Sequence, residues 1–286
     1  MIQGPMAASP PASWPTASRL ALRSCPGVPV RVRIDTLGHG DHVLFQDLDL
    51  TFAAGGWTCV LGPSGVGKST LLRLIAGLDT QSTQGPHTRV EGPDGLALPG
   101  LCAYMGQQDG LLPWLSARDN VALGPRLRGG ATRADRDRAQ ALLAAVGLGE
   151  RAAARPAALS GGMRQRVALA RTLMENRPVV LMDEPFSALD PPTRLRLGDL
   201  AAELLRGRTV IHVTHDPLEA LRLGHQVLVL GGRPASPGEP LIPEGTPPRP
   251  PDAPGLATRH ADLLLRLSQA LEEFPTAPCA SPSPCV

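Results

Sequence analysis

The chain has 286 residues, 42% of them hydrophobic, enough to bury a sizeable core in one domain or two subdomains. A formal net charge of +2 is too small to argue for nucleic acid as a partner or for an electrostatic hold on a membrane. No apolar run approaches the roughly 20 residues that span a bilayer, and the five cysteines form no CxxC pair, which fits free thiols in a reducing cytoplasm.

Residues 1–28 are rich in Pro, Ala and Ser without a continuous apolar stretch, so they read as a disordered extension and not as a signal peptide. Between 29 and 232, short apolar runs alternate with helical patterns. Strand-length runs fall at Trp57–Leu61, Leu101–Met105, Pro178–Met182, Thr209–Val213 and Gln226–Leu230. Ala139, Leu142, Leu143 and Val146 share a helical face that ends at Gly147. Strands alternating with helices predict an α/β sheet with helices on its faces. Residues 108–160 show helical patterns and no strand, which predicts a helical insert. Residues 233–256 are dense in Pro and Gly and read as unstructured. They open a tail, 233–286, that holds one short amphipathic stretch at Leu263–Leu271. There is no internal repeat.

Lys and Arg total 28, and Lys68 is the only lysine. Arg stands almost everywhere a cation is used, so the exception asks for a compact ammonium where a planar guanidinium does not fit. Lys68 lies in Gly62-Pro63-Ser64-Gly65-Val66-Gly67-Lys68-Ser69-Thr70, after the strand Trp57–Leu61 and before the apolar run Leu71, Leu72, Leu74, Ile75. This is GxxxxGK[ST] between a strand and a helix, a P-loop. Its glycines let backbone N–H groups face phosphate oxygens, and the helix adds its positive end. Lys68 is placed to reach the β- and γ-phosphates and the Ser69 hydroxyl to bind Mg²⁺.

A second buried-type strand ends in Asp183-Glu184. Adjacent side chains on a strand point to opposite faces. Asp183 can therefore hold the metal shell while Glu184 faces an attacking water.

A further Gly-Ser loop precedes a further helix in Leu159-Ser160-Gly161-Gly162-Met163-Arg164-Gln165-Arg166, leading into Val167–Arg171. With it the sequence resembles the ATP-binding cassette family across residues 39 to about 230. The resemblance implies a P-loop NTPase (RecA-like) core with an N-terminal antiparallel β layer and a helical subdomain insert. It implies ATP and Mg²⁺ as cofactors and a homodimer. In that dimer Ser160, Gly161 and Gly162 of one subunit bind the γ-phosphate of the nucleotide held by the other. Ser187-Ala188-Leu189-Asp190 looks like the family's dimer-contact loop. His215 matches the histidine that contacts the γ-phosphate, and Gln107 the glutamine that reaches metal and water. The family places an aromatic residue ahead of the cradle to stack on adenine. Counting back from Asp47-Leu48-Asp49-Leu50, the matching position is His39, with Leu37 or His42 as alternatives. The partner implied is an integral membrane permease at the cytoplasmic face of the cell membrane, with a periplasmic solute-binding protein acting indirectly. Trp114 sits where the helical insert meets that permease.

Tyr104-Met105-Gly106-Gln107-Gln108-Asp109-Gly110-Leu111-Leu112-Pro113-Trp114-Leu115 resembles the importer group for nitrate, sulfonates and taurine. Within that group the Met-x-Gln-Gln-Asp pattern looks most like subunits for uptake of the thiamine pyrimidine precursor. The alternatives are an ATPase subunit for nitrate, sulfonate or taurine import, then an exporter subunit or a soluble cassette ATPase. The cassette ATPases that act on chromosomes carry long coiled coils between these motifs, and only about 90 residues separate cradle and signature here.

Overall fold

A computed structural model describes residues 25–40, 42–79 and 81–273. They form two compact units, one of residues 25–107 with 177–273 and one of residues 108–176.

In the larger unit, β1 (Val30–His39) and β2 (His42–Phe52) pair antiparallel across a tight turn. Alternate side chains turn inward, Val30, Val32 and Ile34 from β1 and Leu48, Leu50 and Phe52 from β2. Then come β3 (Trp57–Leu61), α1 (Lys68–Ala76), and the short β4 (Thr83–Gln84) and β5 (Arg89–Glu91), both paired antiparallel with β1. β6 (Cys102–Met105) precedes the smaller unit.

That smaller unit holds α2 (Ala117–Val121), α3 (Leu123–Leu127), α4 (Arg133–Ala145) and α5 (Gly161–Met174), with no strand among its described residues. A Thr132–Asp135 capping box starts α4, and Ala139, Leu142 and Leu143 form its buried face. Gly147 follows its end with φ 72°. The unit runs past the expected limit at residue 160, because α5 packs against α2 and α4 and carries its own buried face of Val167, Ala168, Ala170 and Leu173.

The larger unit resumes with β7 (Val179–Asp183), α6 (Pro191–Leu204), β8 (Thr209–Val213), α7 (Pro217–Leu223), β9 (Gln226–Gly231), β10 (Ser236–Pro237) and α8 (Leu256–Glu272). The sheet order is β10-β9-β3-β8-β7-β6, parallel except for β10. β3, β7 and β8 are buried along their whole length, which is why they read as largely apolar runs of strand length. One apolar core joins the antiparallel layer to this sheet through Val32, Phe52, Val60, Leu72, Ile211 and Leu230. In open α/β sheets ligands bind outside the carboxyl ends of the strands. Those ends here carry the glycine loop (β3), Gln107 (β6), Asp183-Glu184 (β7) and His215 (β8).

Two stretches expected to be unstructured are held in place. Of the N-terminal extension, residues 1–24 lie outside the described residues. Gly27 N donates to Gly207 O at 2.7 Å, and Thr209 Oγ1 donates to Val28 O at 2.6 Å. Residues 233–256 are fixed by backbone pairing of Leu241 with Val227, by Ala235 N donating to Leu44 O, and above all by Arg249. Its guanidinium is buried and donates to the carbonyls of Leu221, Gly224, Pro243, Glu244 and Gly245. Leu221 and Gly224 lie at the C-terminal end of α7, where helix carbonyls lack intrahelical partners. Pro and Gly deny this segment a regular element, but a charged side chain among carbonyls orders it without one. α8 is longer than the expected stretch Leu263–Leu271. Leu256, Leu263 and Ala270 bury one face, and Ala270 packs close over Gly231.

Arg249→Met keeps much of the side-chain volume and strips five carbonyls of their donor. It is expected to cost about 3–5 kcal/mol of stability, read as a lowered urea midpoint. A change below about 1 kcal/mol would show that the clasp contributes nothing net.

Candidate functional site

The glycine loop is shaped by what presses on it. Gly62, Gly65 and Gly67 have φ of 146°, 82° and 106°, a range open to glycine and rarely to other residues. A Cβ on Gly62 would run into the Leu230 carbonyl of β9. One on Gly67 would lie 2.6 Å from Cε2 of the buried Phe45 ring on β2. The loop is thus squeezed between the central sheet and the antiparallel layer. α1 starts at Lys68 with no side-chain cap, so its first N–H groups face out of the helix unclaimed. Backbone donors at a nine-residue helix start fit a phosphate chain.

Lys68 Nζ donates to the carbonyls of Gly62 and Pro63 at 2.7 and 2.8 Å. Burial lowers its pKa, against the opposing pull of Glu184 and Asp183. Asp183 is buried at the end of β7, and burial raises its pKa, with the Ser69 hydroxyl bonded to it acting in the other direction. A carboxylate held against its own desolvation beside a hydroxyl suits a hard divalent cation. Among the described residues no group of three His, Cys, Asp or Glu side chains could bind a metal. The Ser69–Asp183 pair therefore fits a cation that takes its remaining ligands from phosphate and water, as Mg²⁺ does.

Glu184 has φ 49°, a left-handed conformation that is uncommon for a glutamate. Glu184 N donates to Val213 O of β8 at 2.9 Å, and Ser187 Oγ donates to Glu184 O at 3.0 Å. These bonds hold the strained turn. His215 Nδ1 lies 3.4 Å from Glu184 Oε2, and the imidazole is largely exposed. Lys68, Ser69, Asp183, Glu184 and His215 thus converge in one unit, while Gln107 is exposed just past β6. Ser160 caps α5 in the helical unit by accepting from Met163 N, and with Gly161 it is exposed at the helix start.

His39 is exposed at the end of β1, with Ser82 Oγ 3.4 Å from each ring nitrogen. Leu37 is fully buried, which removes it as the residue over the base. Trp114 is 64% exposed, so it is not a core residue. Its loop is templated from within. Asn120, fully buried, accepts from Leu112 N and donates to the carbonyls of Leu112, Leu115 and Ser116. Arg171 donates to the carbonyls of Asp109 and Gly110.

Sequence pattern does not reveal Phe45, which shapes the cradle, or Arg194, which bonds from α6 to Asp216 and to the Leu189 carbonyl. Phe45 shows only as one apolar position of an alternating strand, and Arg194 is one arginine among many.

Comparison with known proteins identifies the family. Residues 45–187 match the family described as ABC transporter. An uncharacterized ABC transporter ATP-binding protein of Haemophilus influenzae is 42% identical over 83% of this chain and 98% of its own length. Aliphatic sulfonates import ATP-binding protein SsuB 1 of Rhodococcus jostii is 47% identical over 70% of this chain and 79% of its own. SsuB 2 of Burkholderia cenocepacia is 43% identical over 82% and 85%. A solved ATP-binding cassette, the dimeric post-hydrolysis state bound to ADP and Pi, superposes with a TM-score of 0.65 at 29% identity, covering 76% of this chain and all of that one.

Gly67→Ala drives a methyl into the Phe45 ring, whereas a Cβ on Gly65 meets nothing within 4 Å. Calorimetric titration should show Gly67→Ala losing at least about tenfold in ATP affinity, about 1.4 kcal/mol. Gly65→Ala should lose distinctly less. Equal losses would show that backbone conformation alone, and not the ring, limits position 67.

Proposed function

The chain belongs to the ABC transporter family as an ATP-hydrolysing cassette that powers transport, and we propose that it serves the import of aliphatic sulfonates. The observation that carries the enzymatic part is the convergence of Lys68, Ser69, Asp183, Glu184 and His215 at the ends of three parallel strands. The sulfonate part rests on relatives of 40–47% identity named for sulfonate import. They favour sulfonates over the thiamine-precursor reading of the Met-x-Gln-Gln-Asp segment, within the same importer group.

ATP lies with its phosphates on the N–H groups of the glycine loop and of α1, and Lys68 exchanges its two carbonyl acceptors for β- and γ-phosphate oxygens. Ser69, Asp183 and Gln107 would hold Mg²⁺, which would supply positive charge to offset that of the phosphate oxygens. Glu184 accepts a proton from water as the water oxygen bonds to the γ-phosphorus and the bridge to ADP breaks. His215, beside Glu184, donates to the γ-phosphate and orients it. His39 lies over the adenine, and an imidazole in that place gives weak stacking and weak choice of base. Two copies close head to tail, with Ser160, Gly161 and Gly162 of one facing the γ-phosphate held by the other. Closure is driven by ATP binding and reversed by hydrolysis. A membrane permease receives that motion at the Trp114 loop, an exposed aromatic on a pre-ordered support. No described helix is long and apolar enough to cross a membrane, so the transport path needs such a partner. The cassette then lies at the cytoplasmic face, and a periplasmic binding protein delivers solute.

Glu184→Gln removes the base and leaves the metal pair. ATP affinity should stay within about threefold while kcat falls at least about a hundredfold, and a dimer should persist in ATP by size-exclusion chromatography. Hydrolysis near the wild-type rate would remove Glu184 from this role. For the solute, loss of the gene should abolish growth on an aliphatic sulfonate as sole sulfur source and spare growth on sulfate. Trp114→Ala should fail to restore that growth although the isolated subunit hydrolyses ATP normally. Growth on sulfonate without the gene, together with a new requirement for the thiamine pyrimidine, would return the reading to that precursor.

A further inference from the structure

An arginine in the first turn of α6 touches both loops that flank the site. Arg194 Nη1 donates to Asp216 Oδ2 at 2.8 Å, and Nη2 donates to the Leu189 carbonyl at 3.3 Å. Asp216 directly follows His215, and its other oxygen starts α7 by accepting from Leu218 N and Glu219 N. Leu189 belongs to the loop Ser187–Asp190, whose first residue bonds back to the Glu184 carbonyl through both its N–H and its hydroxyl. Asp190 caps α6 by accepting from Thr193 N, so the loop and the backbone of Arg194 are one piece. A second tie, Arg222 Nη2 donating to Asp199 Oδ1 at 2.7 Å, holds α6 to α7 further along. The Nε of Arg194 is buried without a hydrogen-bond partner.

We propose that Arg194 is a positioning residue that makes the loop 187–190 and His215 move together, so that a second copy of the chain pressing on this loop sets the placement of His215 beside Glu184. This rests on reading Ser187–Asp190 as a dimer contact and His215 as the group at the γ-phosphate. A guanidinium offers its donors in a rigid planar fork. Displacing one acceptor must therefore carry the other along or break a bond. Asp216 can follow only with His215, its covalent neighbour. A buried N–H with no acceptor costs free energy, and a loop shift that brings a carbonyl to Nε would recover part of that cost. A lysine in the same place would put one point charge between two acceptors and could not fix their spacing.

ATPase kinetics of the full chain test this, with Arg194→Gln, Arg194→Lys, Asp216→Asn, His215→Ala and the double variant Arg194→Gln/His215→Ala, each checked by thermal melting. Arg194→Gln, Arg194→Lys and Asp216→Asn should each lower kcat about tenfold with KM for ATP within about twofold. The double variant should be no slower than His215→Ala, because a residue that acts through His215 has nothing left to position. A near wild-type kcat in Arg194→Gln overturns the proposal. So does a double variant slower than His215→Ala by the whole single-variant factor. If Arg194→Gln does not fold, Asp216→Asn, which retains an oxygen to cap α7, decides on the same criteria. Full activity in His215→Ala would instead overturn the reading of His215, independently of what Arg194→Gln does.

Discussion

A polyanion bound by backbone N–H groups requires a stretch of chain with nothing on its surface, and that stretch must still be held in one shape. The glycine loop meets both demands by close approach. The Leu230 carbonyl fills the space a Cβ on Gly62 would take, and the Phe45 ring fills that of Gly67. Positive-φ backbone at Gly62 and Gly67 is held where neighbouring atoms leave no room for a Cβ, while Gly65 faces open space. The rest of the larger unit follows from this squeeze. The antiparallel layer is needed to carry Phe45 and the sheet to carry Leu230, and the core between them fixes their separation. Asp183, Glu184 and His215 gather at the same strand ends because parallel strands present all their carboxyl ends together.

The parts of this molecule that could be read from sequence are those where residue type and local pattern coincide. Trp57–Leu61, Val179–Asp183 and Thr209–Val213 are buried on both faces and so appear as mostly apolar runs without alternation. The loop at Lys68 needs a fixed spacing, and the single lysine marks it. The end of the helical unit was missed because α5 looks like any amphipathic helix, and only its packing against α2 and α4 assigns it. Residues 233–256 were misread for a different reason. Composition reports the lack of helix or strand there, but it is silent on a guanidinium bonded to five carbonyls.

Arginine is where composition hides most. Arg249, Arg222, Arg171 and Arg194 each bond to backbone or carboxylate at a position that orders a loop or a helix end. In a chain with one lysine, every such residue looks like a surface cation. What separates them is burial and the identity of the acceptor, and neither is written in the local sequence. The same fork that grips two carbonyls at Gly224 and Leu221 grips a carboxylate and a carbonyl at the candidate site. A residue that locks the fold and a residue that tunes the site can thus be chemically identical.

The left-handed backbone at Glu184 sets two selective pressures against each other. Glycine would relax that turn and asparagine would tolerate it better, so either is the replacement that folding alone prefers. Both would discard the carboxylate that faces His215. A search for hardier variants would be drawn to position 184 and would find there a sturdier protein that no longer turns over. The glutamate persists at the expense of the fold around it, a local conflict between durability and rate.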